Sequence, residues 1–394
     1  MNAPERQALK IALPTPARRI EVHALHEPRA FPARPARTFT RVAYAAAHVV
    51  ADPLTADPWL DVALDWDATI AYRRYLWSLG LGVAEAMDTA QRATGVDWPA
   101  SLELIRRTLA AARDLPGAVV ASGAGTDQLA PEDARTIDDV IRAYEQQVGA
   151  IEALGGRIIL MASRALALIA RSPADYERVY DRILSQARAP VIIHWLGEMF
   201  DPALAGYWGD RDHLRAMDTA VGVINAHAAK VDGVKVSLLD ADKEIAMRRR
   251  LAPGIRMYTG DDFNYADLIA GDARGHSDAL LGIFDAIAPA ACAALGELAA
   301  GDIAAFNEIL APTVPLSRHI FCAPTRFYKT GIVFLAWLNG HQDHFTMVGG
   351  QQSARSIVHL AEAFRLADKA GLLRDPELAC ARMRTLLSVH GFAA

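Results

Sequence analysis

Val231-Asp-Gly-Val-Lys-Val-Ser237 sets a lysine, Lys235, between two valines in a short β-branched run. Such a run reads as a buried strand, and a buried strand is an unusual place for an ammonium. The chain holds six lysines among its 41 Lys and Arg residues, so arginine ordinarily supplies positive charge here. A lysine in this position has no evident solvating role. A desolvated amine has a lowered pKa and can attack a carbonyl carbon to form an imine. A lysine ion-paired to a neighbouring carboxylate is the plain alternative.

Outward from this strand, one grammar repeats from about residue 40: a short β-branched or Ala-rich run, polar loop residues, then a stretch with apolar positions three and four apart. It predicts parallel strands joined by crossover helices. The expected inner strands are Arg41–Ala47, Gly82–Ala86, Ala118–Ser122, Arg157–Met161, Pro190–His194, Val234–Ser237, Ile255–Thr259 and Ala279–Phe284. Eight is the number that closes a (β/α)8 or TIM barrel, and a barrel of this kind commonly exceeds the usual domain length as one unit. Among the helices, Thr136 to Leu154 sets Val140, Ile141, Tyr144, Val148 and Ile151 on one face and stops at Gly155-Gly156. Ser172-Pro173, with Asp175 in the first turn, opens another. The expected division is an N-terminal extension (1–38), irregular or hairpin-like, a barrel (39–295) and a C-terminal helical region (296–394) packed on it.

Composition narrows the function. With 52% hydrophobic and 22% charged residues the chain can bury a large core. A formal net charge of -5 gives counterion release little to act on, so no nucleic-acid partner is expected. Cys292, Cys322 and Cys380 are odd in number and form no Cys-x-x-Cys pair, which fits a reducing cytoplasm. No signal peptide and no membrane span is expected, since Ile332–Leu338 is far shorter than the ~20 residues a crossing helix needs.

Residues at and beyond the C-terminal ends of barrel strands surround one pocket. They are His48; Glu85, Asp88 and Thr89; Thr126 and Asp127; Ser163 and Arg164; His194, Trp195 and Glu198; Lys235 and Ser237; Asp261, Asp262 and Asn264; and Phe284 and Asp285. Lys235 and His194 are the catalytic candidates, and Glu85, Asp88, Thr89, Arg164, Trp195, Glu198, Ser237, Asp261, Asp262, Asn264 and Asp285 the substrate-binding ones. Carboxylates accept hydrogen bonds from hydroxyls and repel an acid, so this set favours a polyhydroxylated carbonyl compound, such as a keto sugar. Arg164 complicates that reading, because it could pair with a substrate carboxylate or with one of these acids. The same set could bind a divalent metal.

The stretch around Lys235, with Tyr258-Thr-Gly-Asp-Asp262, Gly275 and Ala288-Pro289, resembles the dihydrodipicolinate synthase and N-acetylneuraminate lyase superfamily over roughly residues 40 to 390. The resemblance implies a barrel with three trailing helices, a class I lyase or aldolase, and a Schiff-base lysine on the sixth strand in a Gly-apolar-Lys context, matched by Lys235. It also implies a seventh strand ending in Ser/Asn-Gly-Asp/Phe-Asp, matched by Gly260-Asp261-Asp262. Two departures mark a divergent, domain-of-unknown-function branch. Where the superfamily has Gly-Thr-Thr-Gly-Glu to hold the carboxylate of pyruvate, this chain reads Ala86-Met-Asp-Thr-Ala-Gln91; where it has a proton-relay tyrosine, this chain reads Ala162-Ser-Arg-Ala165. Poor pyruvate binding is therefore expected, with His194, oriented by Glu198, as proton carrier in place of the tyrosine.

Other constellations read as structural. His341-x-Asp343-His344 has metal-like spacing but follows the turn signal Asn339-Gly340 and is expected in a surface loop or an oligomer contact. His276-Ser277-Asp278 lacks triad geometry, and Gly123-Ala-Gly125 lacks the third glycine of a dinucleotide fingerprint. Arg248–Arg250 reads as a solvated helix face. The expectation is a cytoplasmic, homo-oligomeric Schiff-base lyase or aldolase acting on a small molecule and needing no cofactor beyond the imine. The alternatives are a metal-dependent sugar isomerase or epimerase with His194 and Glu198 as ligands, and a non-catalytic binding barrel.

Overall fold

The computed structural model describes residues 9–392. Residues 1–8, where no signal peptide is expected, and residues 393–394 lie outside the described residues. The strands are β1 (Lys10–Pro14), β2 (Ile20–Ala24), β3 (Ala43–Ala46), β4 (Gly82–Glu85), β5 (Val120–Ala124), β6 (Arg157–Leu160), β7 (Val191–Leu196), β8 (Val231–Ser237), β9 (Arg256–Thr259) and β10 (Asp278–Leu281). β1 and β2 form an antiparallel hairpin. β3 to β10 close a barrel in chain order, with β10 pairing parallel to β3.

Each expected inner strand is present with shifted ends. The last stops at Leu281 rather than Phe284, because Gly282 turns the chain into the short helix Ile283–Ala286, where Phe284 and Asp285 lie. An apolar run bounded by no polar residue looks the same as strand or as buried helix.

Alternation along the strands builds two cores. Tyr44, Ala46, Ala84, Ala121, Ile159, Ile192, Tyr258 and Leu280 fill the barrel interior. Val83, Ile158, Leu160, Ile193, Val234 and Val236 face the helices. Tyr258 lies over Gly233, where a Cβ would come within 2.6 Å of its ring, and its hydroxyl donates to Asp232 at 2.6 Å. The crossover helices begin where the sequence places caps. Asp65 and Asp97 accept from the N–H groups of Ala68 and Ala100, and Thr136 and Ser172 form capping boxes with Asp139 and Asp175.

After β10 the chain is helical. Where the resemblance implies three trailing helices, six of eight or more residues follow: Ala288–Ala299, Ile303–Leu310, Thr313–Ile320, Tyr328–Leu338, Ile357–Lys369 and Pro376–Val389. The helix Tyr328–Leu338 is buried along its whole length, which explains its apolar composition. No helix of the described residues is long and apolar enough to cross a membrane.

Candidate active site

Lys235 shares its register with His194 on β7 and Tyr258 on β9, so these side chains point to the same side of the sheet, the barrel interior. Gly260 makes room for it: a Cβ there would lie 2.7 Å from Lys235 Cε. Burial lowers the Lys235 pKa from its ordinary value, and Asp262 and Asp88 oppose that by favouring the ammonium. Asp262, on the loop after β9, is buried and accepts from the N–H of Ile283 at 2.8 Å. Burial lifts its pKa to about 7, against the pull of that N–H and of Lys235.

His194 is wholly buried, and burial together with the charge of Lys235 depresses its pKa well below the usual imidazole value. It is therefore neutral near pH 7. Its Nε2 lies 3.2 Å from Ser237 Oγ, and its buried Nδ1 has no hydrogen-bond partner.

Above His194 opens a cavity of about 260 Å³ lined by Asp88, Arg92, Thr126, Asp127, Arg164 and Asp201, among others. A second, of about 340 Å³, shares Asp88, Arg92, Arg164 and Asp201 and extends to Arg326, Tyr328 and Lys329. Arg92 holds Asp127 through two nitrogens, at 2.7 and 3.2 Å, and Arg164 pairs with Asp201. Thr89 Oγ1 and Tyr328 Oη, 2.9 Å apart, tie the loop after β4 to the C-terminal helices.

Thus Lys235, His194, Ser237, Asp262, Asp88 and Arg164 gather at one end of the barrel, and several other candidates do not join them. Glu85 faces the helix layer, where Arg73 clasps both its oxygens at 2.9 Å and Thr108 donates at 2.6 Å. Trp195, one residue from inward-facing His194, necessarily faces outward and packs against Trp208 and His213. Glu198 pairs with His213 at 3.0 Å and does not orient His194. Asp261 accepts from the N–H groups of Phe263 and Asn264 and from Asn264 Nδ2, so it and Asn264 shape their own loop. Asp285 is bound to the His48 ring at 2.8 Å and to the Tyr72 hydroxyl at 3.1 Å, outside the barrel. Of the expected substrate-binding carboxylates only Asp88 and Asp262 reach the barrel mouth, and the other acids there, Asp127 and Asp201, are each held by an arginine, so the acids no longer argue that an acid substrate would be repelled.

The expected metal ligands do not converge at the barrel mouth. Among the described residues, the group of His, Cys, Asp or Glu close enough to share an ion is His23, His26 and Asp368, where hairpin meets helix. His341 is packed against Tyr72 and Tyr75 rather than lying in a surface loop, while Asp343 is exposed. Ser277 donates to Glu244 at 2.7 Å and Asp278 accepts from the N–H of Val42, as structural residues do. Arg248 to Arg250 pair with Asp272 and Asp218.

Sequence reasoning missed Arg92, Asp201, Arg326, Tyr328 and Lys329. One signal was present for Lys329: it is another of the few lysines, at the start of an apolar helix.

The model of the family described as "Protein of unknown function (DUF993)" matches residues 11–392, nearly the whole chain. The chain belongs to the DUF993 family. Among solved structures, this DUF993 protein is similar to dihydrodipicolinate synthase from Aquifex aeolicus, at 11% identity and a TM-score of 0.60, covering 89% of this chain and 98% of that one. It is similar to YagE, a prophage protein of the dihydrodipicolinic acid synthase family from E. coli K12 solved with pyruvate (14% identity, TM-score 0.61, 90% and 99% covered). It is also similar to the enzyme from Cyanidioschyzon merolae solved with lysine bound (17% identity, TM-score 0.60, 84% and 98% covered). The comparison with curated proteins finds no match. This DUF993 protein shares the fold of dihydrodipicolinate synthase.

Proposed function

We propose that this protein is a Schiff-base lyase or aldolase, with Lys235 attacking the carbonyl of a keto substrate larger than pyruvate. The observation that carries this reading is a buried, inward-facing amine of lowered pKa beside Asp262, at the end of the barrel where such folds do their chemistry. The amine attacks the carbonyl carbon and water leaves, giving an imine that can take up the electron pair of a breaking C–C or C–O bond. Asp262, whose pKa lies near neutrality, can take up and return the proton each step needs. Neutral His194, its basicity depressed by burial and by Lys235, can exchange a hydrogen bond with Ser237 but is a weaker base than carrying the proton itself would require. The two adjoining cavities offer space well beyond a three-carbon acid, and their Asp88, Asp127 and Thr126 can bind hydroxyl groups, which supports a hydroxylated substrate.

Borohydride reduction followed by peptide mass mapping tests this. Dihydroxyacetone or erythrulose should leave an adduct on the Lys235 peptide, absent in Lys235→Arg, while pyruvate should leave little. An adduct on another lysine, or none with any ketone, overturns the reading. Efficient trapping of pyruvate at micromolar concentration overturns the substrate argument alone.

A further inference from the structure

A second lysine faces the barrel mouth. Lys329, in the first turn of the buried helix Tyr328–Leu338, is 6% exposed and lines the larger cavity. An ammonium has three donors. Within the protein, Nζ of Lys329 donates to the carbonyl of Arg326 at 3.2 Å and sits 5.1 Å from the centroid of the Tyr328 ring. Among the described residues no carboxylate forms an ion pair with it. Burial lowers the Lys329 pKa, and Asp88 and Asp201 favour its charge only from beyond ion-pair distance; a buried ammonium without a direct partner is costly, and a site that keeps one commonly obtains its partner from a ligand.

The surroundings have the same sign. The cavity is lined by four basic residues, Arg92, Arg164, Arg326 and Lys329, and by two acids, Asp88 and Asp201. Arg164 engages Asp201, and Arg92 engages Asp127. Arg326 lies at the rim with its guanidinium over the Phe327 ring at 4.9 Å, leaving its donors for a ligand. Asp88 lies within electrostatic reach of both Lys235 and Lys329, and it lines both this cavity and the smaller one that opens over His194. The bond between Thr89 and Tyr328 holds the two walls together.

We infer that the Lys329–Arg326 cavity binds an oxyanion group of the substrate, a carboxylate or a phosphate, carried at a distance from the carbonyl that meets Lys235. The inference rests on the Schiff-base reading only in taking Lys235 as the reacting end. It makes the substrate an anionic keto compound held at two points, with the start of the buried helix Tyr328–Leu338 supplying the second.

Two measurements on the full chain test it. Inorganic phosphate should raise the melting temperature of the wild type in a saturable way, and Lys329→Met, which keeps the volume of the side chain, should abolish the rise. Arg326→Gln at the exposed rim should weaken it without affecting the fold. In the second, borohydride trapping at Lys235 is titrated with two matched pairs, dihydroxyacetone against dihydroxyacetone phosphate and 2-pentanone against 4-oxopentanoate. The anionic member of at least one pair should half-saturate at a concentration about tenfold lower, as a charge-assisted contact gives. The pair that shows the preference identifies phosphate or carboxylate. In Lys329→Met the preference should vanish while the neutral ketone is trapped as before. Equal trapping of charged and neutral members, or a preference that survives in Lys329→Met, overturns the inference. If no ketone is trapped, the Schiff-base reading falls, and the phosphate arm alone decides the anion site: a rise lost in Lys329→Met sustains it, and no rise overturns it.

Discussion

Asp262 and Lys235 hold opposite tendencies in one buried space: burial favours a neutral acid and a neutral amine, and each, when charged, pulls the other toward ionisation. An imine forms only from the neutral amine, so trapping at Lys235 should rise with pH along a limb set by the Lys235 pKa. Asp262 raises that pKa. In Asp262→Asn the limb should therefore move to lower pH, by about one unit or more, the usual effect of losing a nearby opposite charge. Turnover should fall by about 10²–10⁴-fold, the loss expected of the proton carrier proposed for Asp262. Trapping followed against pH in both proteins checks the first outcome. An unmoved limb would show that the two groups do not communicate.

At the scale of elements, two buried acids show how strands and helices are joined. Glu85 on β4 is fastened to Arg73 on the helix Trp66–Ser78 and to Thr108 on the helix Trp98–Arg113, all three fully buried. Removing one member strands a charge, so Arg73→Met should cost about 3–5 kcal/mol, and Arg73→Met with Glu85→Leu should recover most of it. Urea unfolding of the two variants measures both. Glu244, on the helix Ala241–Arg248, receives a hydrogen bond from Ser277, and burial lifts its pKa from 4.5 to about 8. The folded protein keeps this proton over a range where the unfolded chain loses it. The contribution is therefore full below about 4.5 and declines until pH passes about 8. Glu244→Gln should flatten the fall in urea midpoint between pH 6 and 9; the same slope in both proteins would count against a neutral Glu244.

Over the whole molecule, the N-terminal hairpin is held on the C-terminal helices. Asp368 accepts from His23 at 2.8 Å, from the His26 ring at 2.6 Å and from the His26 N–H at 3.1 Å. Arg365 donates to the carbonyls of Leu13 and Pro14, and Arg384 to that of Lys10. Asp368→Ala should cost about 1–3 kcal/mol and leave His23 without its acceptor. Limited proteolysis should then cut first between residues 15 and 40, with trapping at Lys235 retained. Unchanged digestion would mean that the remaining contacts suffice to seat the hairpin.

The order of eight strands, the helix starts at Thr136 and Ser172 and a buried lysine on the sixth barrel strand were legible in the sequence alone. Local physics writes them: Thr136 caps because its side chain reaches the N–H group three residues on, and Lys235 stands out because its neighbours in the chain are apolar. Facing was not legible. His194 and Trp195, or Asp261 and Asp262, are adjacent and point to opposite sides or bond to different partners, and only closure of the barrel decides which member faces its mouth. Nor could sequence reveal that Arg73, from a neighbouring helix, would draw Glu85 outward, or that Lys329 would be folded from the C-terminal region to the mouth of the barrel. Contacts between residues far apart in the chain depend on how layers pack, and packing is a property of the closed tertiary structure rather than of any local pattern.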